Sequence, residues 1–153
     1  MGRLNVAWWN LENLFDHEIA QRDPALKRTL GSELKGRTAA VRDRKISQLA
    51  SVIRMMFEGE GPALLGVCEI ENETVAALLA EAIALPHRSY QVVSHDSPDV
   101  RGVDNSFIVD ANTLSVVSTD HQIVNKRRST RDIFWARAIP DACATRSPAT
   151  CSI

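Results

Sequence analysis

The spacing of hydrophobic residues predicts a strand, a helix and a second strand in the first half of the chain. Residues 4–9 are dense in β-forming side chains, which is typical of a strand inside a sheet. Over residues 41–57 the apolar side chains recur at steps of three and four, and so define one face of a helix. The apolar run at residues 63–68 is too short for a helix and indicates a strand buried on both faces. This order predicts a parallel strand–helix–strand unit.

The second half of the chain is predicted to contain one more helix and then short strands. The helix is predicted over residues 73–85, where Asn72 is placed to cap its amino end and Pro86 ends it. Turns rich in Asp, Asn, Ser, Gly and Pro then separate predicted strands at residues 89–94, 105–109, 114–117, 121–124 and 132–138. A parallel unit followed by hairpins predicts an α/β fold of the mixed α+β kind, with one mixed β-sheet and helices on one of its faces.

Two stretches lack this periodicity. Residues 16–38 are interrupted by Gly and Pro and predict a long surface loop, with a short helical turn near residues 25–30. Residues 140–153 are dominated by Ala, Thr, Ser and Pro and hold two of the three cysteines. We therefore predict one lobe over residues 1–138, followed by an unpatterned, poorly ordered tail over residues 139–153.

Length and composition indicate a single globular domain. The chain has 153 residues, of which 44% are hydrophobic and 24% charged, and its formal net charge is −1. Because a charge so near zero attracts neither nucleic acid nor membranes, any basic surface must be local. Seven Lys or Arg residues lie between Lys27 and Lys45, and a second group comprises Lys126, Arg127, Arg128 and Arg131. Such clusters are usually solvated faces, and they would also suit an anionic substrate.

The sequence has no feature typical of a secreted or membrane-spanning protein. Its three cysteines lack C-x-x-C spacing, which argues against a disulfide framework and a zinc site, and Cys68 is expected in the core. A strand-like segment begins almost at once, so no secretory signal peptide is expected. No apolar stretch is long enough to cross a bilayer. We expect a reducing, cytoplasmic setting.

Polar residues follow both strands of the predicted parallel unit. Asn10 and Glu12 follow the first strand, and Glu69 follows the second. The carboxyl ends of parallel neighbours meet at one edge of a sheet, where open α/β folds bind their ligands. Carboxylate and amide oxygens suit a hard cation such as Mg²⁺, which can polarise a phosphoryl oxygen. Glu69 could equally be the first solvated residue after a core strand, and Asn10 and Glu12 could be ordinary turn residues.

Four segments carry a specific combination of motifs. In chain order they read W-N-L-E-N-L-F-D from Trp9, P-A-L-L-G-V-C-E-I-E-N from Pro62, H-D-S-P-D-V-R-G-V-D-N-S-F-I-V-D from His95 and T-R-D-I from Thr130. Together they resemble the amino-terminal half of the endonuclease/exonuclease/phosphatase superfamily, the deoxyribonuclease I-like fold, over roughly residues 4–138. The resemblance implies half of a four-layered α/β sandwich. It also implies hydrolysis of phosphodiester or phosphomonoester bonds with Mg²⁺ or Mn²⁺.

The resemblance assigns roles by motif position. It makes Glu69 the metal-binding glutamate, places Asn10 beside the metal and the scissile phosphate, and gives Glu12 a supporting place at the metal. It implies that Asp104 orients a catalytic histidine and that Arg101 lies near the phosphate. The implied substrate is a phosphate ester, for example in a nucleic acid. Lys45 matches a lysine that is common in the helix, and it receives no catalytic role.

The chain departs from the family pattern in two respects. Asn105 and Ser106 stand where members usually carry apolar residues, which brings the packing of that strand into question. The H-x-P-S segment, the G-D-F-N segment and the carboxyl-terminal D-H pair are also missing, and none of their places is matched by the four histidines His17, His87, His95 and His121. We expect His95 to be a strand-end residue rather than a general base.

The missing motifs lead to three expectations. Without a base or a group that positions water, the chain is expected to be inactive alone, and a frameshift or early stop in a longer coding sequence would explain the unpatterned tail. One sheet of a two-sheet sandwich exposes an apolar face, which predicts self-association. The alternative function is a non-catalytic module that binds nucleic acid or a partner through its basic loops, and a structural α/β domain without a site is a third hypothesis.

Overall fold

A computed structural model describes residues 4–97, 99, 101–124 and 131–141 of the chain. The elements, in chain order, are β1 (Val6–Leu14), α1 (Pro24–Leu34), α2 (Ala39–Met55), a short 3-10 turn (Met56–Gly59), β2 (Leu64–Ile70), α3 (Glu73–Ile83), β3 (Tyr90–His95), β4 (Asp104–Asp110), β5 (Leu114–Gln122) and β6 (Ile133–Pro140). Among the helices in these ranges, none combines the length and the hydrophobicity that crossing a bilayer requires.

The first four strands form a mixed sheet in the order β1-β2-β4-β3. Strands β1 and β2 are parallel, and β4 is antiparallel to both of its neighbours. Strands β5 and β6 form an antiparallel hairpin that is a separate two-stranded sheet. The predicted mixed α/β class and the parallel strand–helix–strand unit are confirmed, and the hairpin adds a second sheet to the one that the sequence predicted.

Helices α2 and α3 cover one face of the four-stranded sheet. The sheet contributes Leu65, Val67 and Ile108 to the buried core, and the helices contribute Ile46, Leu49, Ala50, Ile53, Val75, Ala76, Leu79 and Ile83. Burial of each large aliphatic side chain is worth about 1.5–3 kcal/mol, so this cluster stabilises the fold more than the two smaller clusters do. The Asn72 side chain caps α3 by accepting a hydrogen bond of 2.9 Å from Val75 N, as the sequence predicted.

The hairpin lies against the opposite face of the sheet. Ala63, Val109 and Leu114 form a buried cluster there, against which the partly buried side chains Leu64, Val93, Phe107, Val116 and Ala138 pack. The rings of Phe107 and Phe134 have their centroids 5.3 Å apart. On β1, Val6 and Trp8 remain exposed. The hairpin therefore covers part of the face that was expected to be open, and self-association through the remainder stays a prediction.

The interval read as a loop contains a full helix, so the expectation of a single helical turn was wrong. Asp23 caps α1 through hydrogen bonds from Ala25 N and Leu26 N, and Pro24 occupies its first turn. Leu30 and Leu34 are buried with Phe15 and Val103 in a cluster of their own, with Leu26 packed against it. Burial of these leucines outweighs the cost of roughly 1 kcal/mol for a glycine inside a helix, so α1 continues through Gly31.

The end of the chain is described only in part. Strand β5 is continuous where the sequence predicted two strands, because its polar residues pair with β6 through the backbone while their side chains face solvent. Strand β6 extends to Pro140, two residues beyond the predicted end of the lobe at 138. Most of the predicted tail, residues 142–153, lies outside the described residues.

Candidate functional site

Strands β1 and β2 both become irregular at the same edge of the sheet. Asn10 pairs with Cys68, and the next pair along the two strands is Leu14 with Ile70. Three residues of β1 therefore stand opposite Glu69 alone. Glu12, Asn13 and Glu69 have positive φ angles of 55°, 59° and 60°. Non-glycine residues in this left-handed region are uncommon and cluster at functional sites, because surrounding contacts must hold them there. We call this edge, with Asn10, Glu12, Asn13 and Glu69, the strand rim.

Basic side chains hold the β1 part of the strand rim in place. Lys45 Nζ donates hydrogen bonds to the carbonyl oxygens of Glu12 at 2.6 Å and Asn13 at 3.4 Å, and Arg37 Nη1 donates to the Asn13 carbonyl at 3.4 Å. Asn10 Oδ1 accepts a hydrogen bond of 2.8 Å from Glu12 N. Burial and the charge of Arg37 lower the pKa of Lys45, while the carboxylates of Glu12 and Glu69 act in the opposite direction. Lys45 therefore stabilises the backbone of the rim, and the carboxylates of Glu12 and Glu69 are close enough to interact with its charge.

Arg131 lies between Glu69 and the buried Asp99, which also binds Arg101. Arg131 Nη2 lies 4.0 Å from Glu69 Oε1, and Arg131 Nε lies 3.9 Å from Asp99 Oδ2. Asp99 also accepts hydrogen bonds from Arg101 N at 2.8 Å, Nε at 3.2 Å and Nη2 at 3.0 Å. Burial raises the pKa of Asp99, but the bonds from Arg101 outweigh it and hold the pKa below its usual range. Asp99 thus contacts the guanidinium groups of both Arg101 and Arg131, and that of Arg131 also approaches Glu69.

Asp104 lies in a different environment from the strand rim. It begins β4 opposite Ile70, is buried, and accepts hydrogen bonds from Ser97 N at 2.9 Å and Ser97 Oγ at 2.7 Å. It lines a cleft of about 420 Å³ with Glu71, Asn72 and His95, and neither Asn10 nor Glu69 is among the lining residues. Burial raises the pKa of Asp104 above its ordinary value despite the bonds from Ser97. Its predicted role of orienting a histidine stays a prediction.

We expect replacement of Asp104 with Asn to increase the free energy of unfolding at neutral pH. A carboxyl group with a raised pKa favours the folded state below its unfolded-state pKa, and this contribution is lost as the pH rises through the folded-state pKa. The amide carries no charge to desolvate, so the gain should be present at pH 7 and shrink in acid. Urea unfolding over a pH series measures it. A variant less stable than the parent at pH 7 would contradict this expectation.

Glu71, which follows β2 directly, is buried in an ion pair. Its side chain is 2% exposed and pairs with that of Arg22, which is 1% exposed. Arg22 donates to both carboxylate oxygens, the second at 2.8 Å, and Asp16 N donates to Glu71 Oε2 at 2.6 Å. This pair joins the loop after β1 to the end of β2 and so supports both halves of the strand rim.

A second group of polar side chains lies where the hairpin meets the first sheet. His95 Nε2 is 3.1 Å from Asp132 Oδ2, and the rings of His95 and His121 stack with centroids 4.1 Å apart. The ligand atoms of His95, His121 and Asp132 all lie within 4.8 Å of one another, so this group could hold a metal ion. We call it the histidine cluster. His95 is the last residue of β3, as expected for a strand-end residue. Sequence reasoning missed the cluster because its members are distant in the chain.

The two polar residues that depart from the family pattern are satisfied in the structure. Ser106 Oγ lies 2.8 Å from the Oγ of its cross-strand partner Ser94. Asn105 Nδ2 donates a hydrogen bond of 3.4 Å to the Asp132 carbonyl oxygen. Strand β4 therefore packs with its polar residues paired, and Asn105 contacts the histidine cluster.

The match to a family model agrees with this arrangement. The model of the endonuclease/exonuclease/phosphatase family matches residues 5–139, which covers most of the chain. The chain belongs to this family. A search of the curated proteins and a search of the solved structures each gave no match. Family membership is consistent with a phosphoester substrate.

The strand rim offers side-chain oxygens to the divalent cation that the family resemblance implies. Asn10 Oδ1 accepts one hydrogen bond and retains a second lone pair. The nearest cationic atom recorded for the Glu69 carboxylate, on Arg131, is 4.0 Å away, so the oxygens of Glu69 are not saturated by direct ion pairing among the described residues. These are oxygen donors, which hard cations prefer. The side-chain oxygens of Asn10 and Glu69 are thus donors of the type that Mg²⁺ and Mn²⁺ prefer.

Proposed function

We propose that this chain forms the metal-binding lobe of a Mg²⁺- or Mn²⁺-dependent phosphoesterase that hydrolyses phosphodiester or phosphomonoester bonds. The observation that supports the proposal best is the strand rim. Asn10 and Glu69 lie on adjacent parallel strands at an edge where three non-glycine residues keep left-handed backbone. Such backbone persists only where neighbouring contacts hold it, and here Lys45, Arg37 and Asn10 do so.

In this proposal each residue of the strand rim, and each arginine near it, has a separate role. Glu69 and Asn10 hold the cation, and Glu12 supports them. When bound, such an ion polarises a phosphoryl oxygen and stabilises charge on the leaving group. Arg101 is 54% exposed in its side chain, so it can contact a phosphate while Asp99 orients it. Arg131 approaches Glu69 and adds positive charge near the substrate. Asp104 keeps its predicted positioning role.

The 153-residue chain alone is proposed to turn over its substrate very slowly. Its sequence has no H-x-P-S or G-D-F-N segment and no carboxyl-terminal D-H pair, which would supply the base and the group that positions water. General acid–base catalysis alone contributes about 10²–10⁴ in rate. A reducing, cytoplasmic setting is part of the same proposal.

Metal binding at Glu69 can be measured without any turnover. We expect Glu69→Gln to weaken Mn²⁺ binding, followed by the paramagnetic relaxation of water protons, by at least about tenfold. Loss of a group that only supports a metal ligand already costs about that much. Glu81→Gln, an exposed change on α3, is the matched control and should bind Mn²⁺ like the parent. Equal Mn²⁺ affinity in the parent and in a folded Glu69→Gln variant would overturn the assignment.

A parallel assay separates the enzyme from the alternative function. The parent, Glu69→Gln and Glu81→Gln chains are incubated with Mg²⁺ and either plasmid DNA or a chromogenic phosphodiester. Slow hydrolysis that disappears only in Glu69→Gln supports the phosphoesterase. Nucleic-acid binding without turnover, insensitive to Glu69, would instead support a non-catalytic module on the same scaffold.

A further inference from the structure

We propose that the histidine cluster binds a divalent transition metal of the Zn²⁺ class and that this ion joins the hairpin to the first sheet. The three ligands come from different elements: His95 ends β3, His121 belongs to β5, and Asp132 directly precedes β6. Their ligand atoms already lie within 4.8 Å of one another. An ion there would connect both sheets at the end nearest the strand rim.

The donor atoms determine which metals the cluster suits. Two imidazole nitrogens and one carboxylate oxygen favour borderline ions such as Zn²⁺, whereas Mg²⁺ prefers oxygen ligands alone. Three protein ligands leave a fourth position for water. The cysteine spacing excludes only a zinc site with cysteine ligands, whereas this cluster offers histidine and aspartate.

An independent observation points to a ligand at this place. The Asp132 side chain is 3% exposed. Its Oδ2 contacts His95, while its Oδ1 is buried and has no hydrogen-bond partner among the residues that the structure describes. A buried carboxylate oxygen without a partner is costly, and coordination to a cation would satisfy it. The Asp132 backbone is held separately, by the hydrogen bond from Asn105 to its carbonyl oxygen.

One rotation is needed before both imidazoles can coordinate the same ion. The ring planes of His95 and His121 make an angle of only 23° with each other. The lone pairs of their nitrogens lie in these planes and therefore do not converge on one point. His121 is exposed, and its side chain can turn without disturbing the core. His95 is the more fixed ligand, because it is stacked on Phe134 with centroids 5.4 Å apart and contacts Asp132.

The histidine cluster is separate from the strand rim but connected to it. Asn10, Cys68, Asn105 and His95 form one row across the four strands. Three strand spacings put His95 roughly 14 Å from Asn10. Asp132 is the neighbour of Arg131, which approaches Glu69 and Asp99. An ion that holds Asp132 would therefore also fix the position of Arg131 beside Glu69.

Zinc binding to the full chain, purified without a histidine tag and freed of metal, tests the proposal. We expect the parent to bind one Zn²⁺ in competition with a chromophoric chelator, and Zn²⁺ to raise its thermal unfolding midpoint. His121→Ala should weaken binding by at least about tenfold, since loss of a group that merely supports a ligand costs that much. His87→Ala, which removes another exposed histidine, should bind like the parent. Glu69→Gln should also retain Zn²⁺ binding, which separates this test from that of the strand rim.

Three results would overturn the proposal. The first is the absence of saturable Zn²⁺ binding by the parent. The second is equal Zn²⁺ affinity in the parent and in a His121→Ala variant that circular dichroism shows to be folded. The third is loss of Zn²⁺ binding in Glu69→Gln but not in His121→Ala. Asp132→Asn provides a second variant if His121→Ala proves unstable, and it should weaken Zn²⁺ binding in the same way. Excess Mg²⁺ should not displace Zn²⁺, and displacement would count against the assigned ligands.

Discussion

Replacing Arg22 with Met should destabilise the folded chain by about 3–5 kcal/mol, the usual effect of removing one partner from a buried ion pair. The side chains of Arg22 and Glu71 are 1% and 2% exposed, so the change leaves the Glu71 carboxyl group shielded from water without its cationic partner. Arg22 Nη1 also donates to the carbonyl oxygen of His17 at 2.8 Å, and this bond is lost as well. Urea unfolding measures the effect. Arg28→Met, an exposed change on α1, should alter stability by less than about 0.5 kcal/mol.

A second substitution distinguishes an isolated charge from a loss of packing. Adding Glu71→Gln to Arg22→Met removes the remaining charge and keeps an oxygen for the hydrogen bond from Asp16 N. The double variant should therefore recover much of the lost stability. An Arg22→Met variant no less stable than Arg28→Met would show that the pair contributes little to the fold.

Replacing Asp110 with Asn should cost about 3 kcal/mol or more at neutral pH. The carboxylate is fully buried. It accepts hydrogen bonds from Arg88 Nη1 at 2.9 Å, from Ser89 N at 2.8 Å, from Asn112 N at 3.2 Å and from the Thr113 hydroxyl. An Asn side chain would lack the charge that pairs with Arg88. Its NH₂ group would also face hydrogen-bond donors where the carboxylate oxygen now accepts.

The pH dependence of this effect has a definite sign. Burial raises the pKa of Asp110, but the hydrogen bonds to Thr113, Ser89 and Arg88 outweigh it and hold the pKa below its ordinary value. Such a group stabilises the fold above its unfolded-state pKa, and the contribution disappears as the pH falls through the folded-state pKa. The stability difference between the parent and Asp110→Asn should thus shrink in acid. Asp141→Asn, an exposed change, should show no comparable trend, and a difference constant with pH would contradict the assignment.

Elements with strong local signals were predictable from the sequence. Helix α3 has a capping residue, a buried stripe and a terminating proline close together in the chain, and the structure confirms it. The parallel pairing of β1 with β2 followed from two dense apolar runs around a helix. Helix α1 was missed because Gly31 looks like a break, while the Phe15 and Val103 side chains that stabilise the helix are distant in sequence.

In the candidate site, too, features set by neighbouring residues were predictable and contacts between distant residues were not. Polar residues after two apolar runs predicted Asn10 and Glu69 just beyond neighbouring strand ends. That expectation was wrong in detail, because β1 continues to Leu14 and β2 to Ile70, so both residues lie within paired strands beside the irregular edge. The contacts of Glu69 were not predictable, because Arg131, which approaches both Glu69 and Asp99, is distant from them in the sequence. The histidine cluster depends on the same packing, since 37 residues separate His95 from Asp132. The T-R-D-I segment was the one local signal that could have drawn attention to Arg131 and Asp132.

At the left-handed backbone of the strand rim, selection for stability and selection for hydrolysis should favour different residues. Conformations like those of Glu12, Asn13 and Glu69 cost on the order of 1–3 kcal/mol each, and glycine adopts them without steric penalty. A library screened only for heat resistance should therefore accumulate glycine at these codons and discard both carboxylates. A library screened for hydrolysis should keep them, so the two screens would diverge first at this edge of the sheet.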